Sequence, residues 1–208
     1  MHSIHRKVLV TLIAVLALGA VASASASASS WYVGGAELSS PSPVASSTQM
    51  VEGITLEFSN YTINCTGLEL KGGELLAHNG GQVEHMVFTG CVLHAGASNC
   101  TLSGGKIESK PLKIEAALGS KSPEDTVVFK PATGKVFAEY SITGASCPLA
   151  EEGIEAEGQP TFVLPKGREE SGEQELLVRG KLTGGIGIWT LGGAVKAKLT
   201  STKNWSFH

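Results

Sequence analysis

The chemistry available to this chain is narrow. Asp125 is its only aspartate, and every other acidic side chain is a glutamate. A lone aspartate excludes the two-aspartate dyad of aspartic proteases and the aspartate-rich calcium loop of EF-hands. Paired glutamates remain open as the acid and base of a polysaccharide hydrolase, which needs two carboxyl groups roughly 5–10 Å apart. The one local concentration is Glu151, Glu152, Glu155 and Glu157. Such a cluster can line a cation or sugar site. It can equally be an acidic strand edge that stops neighbouring molecules from pairing onto the sheet. Glu57, Glu69, Glu115 and Glu139 alternate with apolar residues and read as solvated strand faces.

The other reactive side chains assemble no site in sequence. His85 and His94 are nine positions apart, so a continuous strand turns them to opposite sides, and His85 reads as a core histidine. No Gly-x-Ser-x-Gly elbow is present for a serine nucleophile. Gly185-Ile186-Gly187 lacks the third glycine and acidic partner of a dinucleotide fingerprint. Trp31, Trp189 and Trp205 either form an aromatic strip against sugar rings or pack inside, and Trp189 joins the four glutamates as a binding candidate. No catalytic residue, cofactor or metal ligand is assigned.

The N-terminus sets the compartment. Basic His5-Arg6-Lys7 precedes an apolar run, Val8 to Val21, and a serine/alanine alternation, Ala22 to Ser29. This order predicts a signal peptide over residues 1–28, cleaved after Ala28, with Ala24 or Ala26 as alternatives. The apolar run is shorter than the roughly 20 residues of a spanning helix. No later segment is apolar enough to span, so the expected location is extracellular or cell-wall associated. Removing Arg6 and Lys7 from 16 basic residues leaves 14 against 19 acidic ones, a formal charge of −5. That balance, without a basic cluster, argues against nucleic acid as a partner. Asn60, Asn64, Asn99 and Asn204 each begin an Asn-x-Ser/Thr sequon, which carries meaning only in a eukaryotic secretory route.

Cys65, Cys91, Cys100 and Cys147 all fall in the exported part. An even number in an oxidising compartment predicts two disulfides, and the CxxC spacing of zinc sites is missing. Loop-closure entropy gives about 2.7 and 4.5 kcal/mol for Cys91–Cys100 with Cys65–Cys147. Cys65–Cys91 with Cys100–Cys147 gives about 3.5 and 4.1 kcal/mol, too close to separate the two sets. The turn-forming residues between Gly90 and Cys100 favour the first set. It makes Cys91–Cys100 a staple on a hairpin end and Cys65–Cys147 a longer brace.

The elements that must carry these residues have a period of two. Ile54, Leu56 and Phe58 alternate with Thr55 and Glu57, and Leu112, Ile114 and Ala116 with Lys113 and Glu115. Asn79-Gly80-Gly81 is a hairpin signal, and glycines punctuate the whole chain. Residues 29–49 read as a Ser/Pro-rich lead-in, extended or mobile, in which Trp31 and Tyr32 can dock as a first strand. Residues 50–208 read as a single disulfide-stabilised β domain, with Lys166 to Gln174 a charged mobile loop. The fold class is all-β, a mostly antiparallel sandwich or barrel of about ten or more short strands, with a β-solenoid as the alternative.

Ile63-Asn64-Cys65-Thr66, Phe88-Thr89-Gly90-Cys91, the Gly105 to Leu112 strand and Val136 to Tyr140 before a fourth cysteine form a recurring order. It resembles uncharacterised secreted four-cysteine β-proteins abundant in soil actinobacteria. The resemblance covers about Phe58 to Gly158 and implies a disulfide-bonded β fold and a bacterial source, with no activity attached. The expected function is a non-catalytic binding or cell-envelope component whose partner is a cell-surface or extracellular polymer. The alternatives are a polysaccharide hydrolase with paired glutamates, and an inhibitor of secreted enzymes presenting Lys166 to Glu173.

Overall fold

The computed structural model describes residues 29–96, 99–120, 125–184 and 187–208. The signal peptide, Ser98, the Ser122–Glu124 part of the expected turn, and Gly185-Ile186 lie outside the described residues. The described chain is all-β. Its lead carries β1 (Trp31–Val33), β2 (Ala36–Glu37) and β3 (Ser42–Pro43). Then follow β4 (Gln49–Glu57), β5 (Tyr61–Cys65), β6 (Gly67–Lys71), β7 (Glu74–Leu75), β8 (Gly80–Val83), β9 (His85–Thr89) and β10 (Val92–Ala95). The middle holds β11 (Thr101–Leu102), β12 (Ile107–Ser109), β13 (Leu112–Ala117), β14 (Asp125–Pro131) and β15 (Val136–Thr143). The chain closes with β16 (Glu151–Gly158), β17 (Thr161–Leu164), β18 (Glu173–Gly184), β19 (Gly187–Lys198) and β20 (Trp205–Phe207). A single 3₁₀ turn, Ser103–Gly105, is the only helical element among the described residues.

Every strand pair named among the described residues is antiparallel, as expected for a sandwich or barrel and unlike the parallel stacking of a β-helix. One run of ten strands is paired in the order β6–β9–β12–β15–β16–β18–β19–β4–β5–β10. A second run leaves the same long hairpin through β18–β17–β14–β13–β8–β7–β3. It meets the end of β19 at the Val44–Leu199 bridge. Period-two alternation directs Leu56, Ile63, Phe88, Ala138, Ile154 and Trp189 inward from the first run, and Phe129, Phe162, Ile114 and Val178 inward from the second. All are buried in one continuous core.

The lead-in is held at both sides. Trp31 is buried beside Trp205 and Phe207, with ring centroids 5.9 and 4.8 Å away, and its Nε1 donates to the Gly80 carbonyl at 2.8 Å. β1 pairs with β20, so the first and last described strands share a small separate sheet with β2. The charged segment after Lys166 is also pinned. Arg168 donates twice to the buried Asp125 carboxylate, at 2.9 and 3.1 Å, and Ser171 bridges to Trp205.

The disulfides correct the expected pairing. Cys65 bonds Cys91, and Cys100 bonds Cys147. The Gly90–Cys100 stretch does not close on itself, because its two ends leave for different partners. β10 pairs with β5 in the register Val92↔Asn64, which sets Cys91 opposite Cys65 as the next cross-strand pair. β11 pairs with β15 in the register Thr101↔Thr143, which carries Cys100 to the turn after Thr143. Gly144 completes that approach: its φ is +146°, and a side-chain carbon there would overlap the Asn99 carbonyl oxygen.

Candidate functional site

The outer surface of the ten-strand run divides into three parts. On β6, β9, β12 and β15 the charges are satisfied locally. Lys106 lies 3.0 Å from Glu108, Lys110 lies 3.0 Å from Glu139, and Lys71 lies 3.9 Å from Glu69. The Lys106 ammonium holds the Glu108 carboxyl below its ordinary range. His85 is half-buried, with Nδ1 2.8 Å from the Ser109 carbonyl, so it sits at the surface of this region and not in the core. Met86, Val87 and Phe88 beside it are buried, and Glu84, whose N–H donates to the Lys71 carbonyl at 3.0 Å, stands between β8 and β9 and shifts the inward side from Val83 to Met86.

β16 is an acidic seam. Tyr140 faces Ile154 and Ile142 faces Glu151, so three steps on β16 match two on β15. This is a β-bulge, and Gly153 supplies its left-handed residue at φ +67°. The bulge brings Glu151 and Glu155 to one groove of about 470 Å³, with Ile154, Glu157, Thr183 and Gly184 in its wall. Glu152 is exposed outside it. Glu157 is tied to Lys135 at 2.8 Å, which holds the Lys135 ammonium above its usual range. Glu151 and Glu155 are exposed, and among the described residues neither has an ion-pair partner. The groove therefore gathers three of the four predicted glutamates along an open seam.

Beyond the seam, β18, β19, β4, β5 and β10 present an uncovered polar face. Lys181, Thr190, Glu57, Thr62 and His94 stand opposite one another across the five strands. Arg179, Gly192, Thr55, Asn64 and Val92 form the next row. Neighbouring strands lie about 4.8 Å apart, and the two rows about 7 Å. Among the described residues no ion pair or hydrogen bond occupies the side chains of Arg179, Lys181, Glu57, Thr55, Thr62, Thr190 or Asn64. A side-chain carbon built on Gly192 meets nothing within 4 Å, so none of the described residues overlies the centre of the face.

A rigid aromatic layer supports this face from inside. Trp189 alternates with Ile188 and Thr190 and is completely buried, which corrects its reading as a surface-binding aromatic. Trp31 and Trp205 are buried too, so the three tryptophans form no exposed strip. Phe58 stacks on Tyr61 at 4.0 Å and meets Trp189 at 4.4 Å, while Tyr140 meets Trp189 edge-on at 5.0 Å. The Tyr61 and Tyr140 hydroxyls bond each other at 2.8 Å. Burial pushes the Tyr61 hydroxyl up to about 12 and raises Tyr140 as well, with the Glu151 carboxylate adding to both.

The sequence singled out the seam and missed the face. Its residues sit in alternating strands that read individually as solvated, and only the register places Thr190 beside Glu57 and Thr62. Arg179 and Lys181 were legible as a basic pair two residues apart on a strand. No protein-family model, curated protein or solved structure matches this chain.

Proposed function

We propose that this is an exported, disulfide-braced β-domain that works by binding an extracellular polymer, not by catalysis. Export rests on the N-terminal signal-peptide pattern, and two disulfides agree with an oxidising compartment. No helix among the described residues is long and apolar enough to cross a membrane. The observation that carries the binding reading is the two-row polar face. Donors and acceptors with no partner among the described residues stand there on five strands, whereas the neighbouring part of the same sheet pairs its charges. An array spanning five strands suits an extended chain more than a small molecule, which favours a concave, mostly apolar pocket. The glutamates of β16 lie at one margin of this array, outside its two rows.

Affinity gel electrophoresis of the secreted protein through soluble polysaccharides tests this reading. The expected result is retardation by at least one polymer, weakened in the double variant Asn64→Ala/Thr190→Ala while its thermal unfolding stays close to wild type. Turnover of a polysaccharide that is lost on substituting one of Glu151, Glu155 or Glu157 would replace binding with hydrolysis.

A further inference from the structure

The chemical class of the polymer follows from the charges on the face, an inference that rests on the binding reading above. Arg179 and Lys181 project from the same side of β18, two residues apart, and both are exposed. Each stands in a different row, so an extended ligand lying along β18 meets both. Most other cations are committed elsewhere: Lys71, Lys106, Lys110, Lys130, Lys135, Lys166 and Arg168 each have a carboxylate partner. Within the two rows the only carboxylate is Glu57, so the face is net positive on a chain whose formal charge is −3. An arginine fork with no internal partner is suited to a bidentate carboxylate.

The remaining residues narrow the occupant. Protein interfaces centre on aromatic and apolar anchors, but the large exposed apolar residues of these strands, Ile188 at 61%, Val92 at 55% and Val51 at 46%, stand on three different strands, and none is aromatic. Attraction to an anionic membrane surface takes a cluster of several basic residues, and two are too few. Two phosphate contacts would likewise make a weak nucleic-acid site. Thr190, Thr55, Thr62 and Asn64, on the strands to one side of the cations, offer hydroxyl and amide groups matched to a hydrated glycan. We infer that the face binds an acidic polysaccharide, with Arg179 and Lys181 on the carboxylates of its sugar units and the threonine/asparagine array on its hydroxyls.

The test uses the secreted protein with two probes, polygalacturonate and uncharged dextran, at about 50 and 200 mM salt. Polygalacturonate should bind, and with two charge contacts its affinity should fall roughly tenfold across that salt range. Arg179→Gln/Lys181→Gln should lose a similar factor and most of the salt dependence. Lys113→Gln, an exposed lysine on β13 away from the face, serves as the matched control and should bind like wild type. Equal, salt-insensitive binding of both polymers, or a double variant that binds polygalacturonate as well as wild type, overturns the acidic-ligand inference and leaves polymer binding standing. Binding of neither probe also overturns it. Failure of every polysaccharide in the gel-retardation panel overturns the polymer reading itself.

Discussion

Two regions of one sheet surface differ in a way that composition hides. The β6–β9–β12–β15 region and the β18–β19–β4–β5–β10 region both carry polar side chains outward over a shared apolar core. In the first, lysines face glutamates at about hydrogen-bond distance, and the surface is complete in itself. In the second, threonines, an asparagine, an arginine and a lysine stand in cross-strand rows with no partner among the described residues. Exposed polarity is ordinary, but exposed polarity left unpaired on a rigid support is a surface prepared for something else.

Trp189→Ala removes the centre of the aromatic layer under the open face and should cost about 3–5 kcal/mol in chemical denaturation. Polymer binding should weaken with it, because the rows above lose their floor. Reducing the β5–β10 staple comes next. Cys65→Ser/Cys91→Ser should cost about 2–5 kcal/mol. It should also loosen β10, visible as faster amide exchange at Val92–Ala95 than on β12. Intact mass and peptide mapping of the oxidised protein should find Cys65–Cys91 and Cys100–Cys147, and the other pairing would remove the β5–β10 register as its explanation.

A smaller effect comes from the Tyr61–Tyr140 pair. Its folded pKa values lie above the unfolded value near 10, so its contribution is complete below pH 10 and is lost as pH rises towards about 12. Stability should therefore decline over that window, and Tyr61→Phe/Tyr140→Phe should flatten the decline while costing about 1 kcal/mol at neutral pH. The smallest effect is expected on the paired region. Lys110→Gln breaks an exposed ion pair and should change stability by less than about 1 kcal/mol, with polymer binding unaltered.

The β class was legible because strand alternation is local: Leu112 to Ala117 reads from the sequence as it stands in the structure, with the odd residues outward. Disulfide pairing was not legible, because the neighbours of Cys91 and Cys100 are chosen by β5 and β15, tens of residues away. The loop-closure energies of the two sets differ too little to substitute for that knowledge. Trp189 misled for a related reason. In Ile186-Gly187-Ile188-Trp189 nothing local says which residues face in, and Leu182 on the opposing strand fixes the answer. The glutamate cluster was found because its members are close in sequence. The polar face was not, since its residues come from five strands spread over Thr55 to Thr190.

Amide chemical-shift mapping with a polygalacturonate oligomer tests the contrast between the two regions most directly. Shifts should concentrate at Arg179, Lys181, Thr190, Glu57, Thr62 and Asn64, with the acidic seam and β6, β9 and β12 unmoved. Shifts concentrated on the lysine–glutamate pairs of β12 and β15, with the β18–β10 face silent, would contradict it.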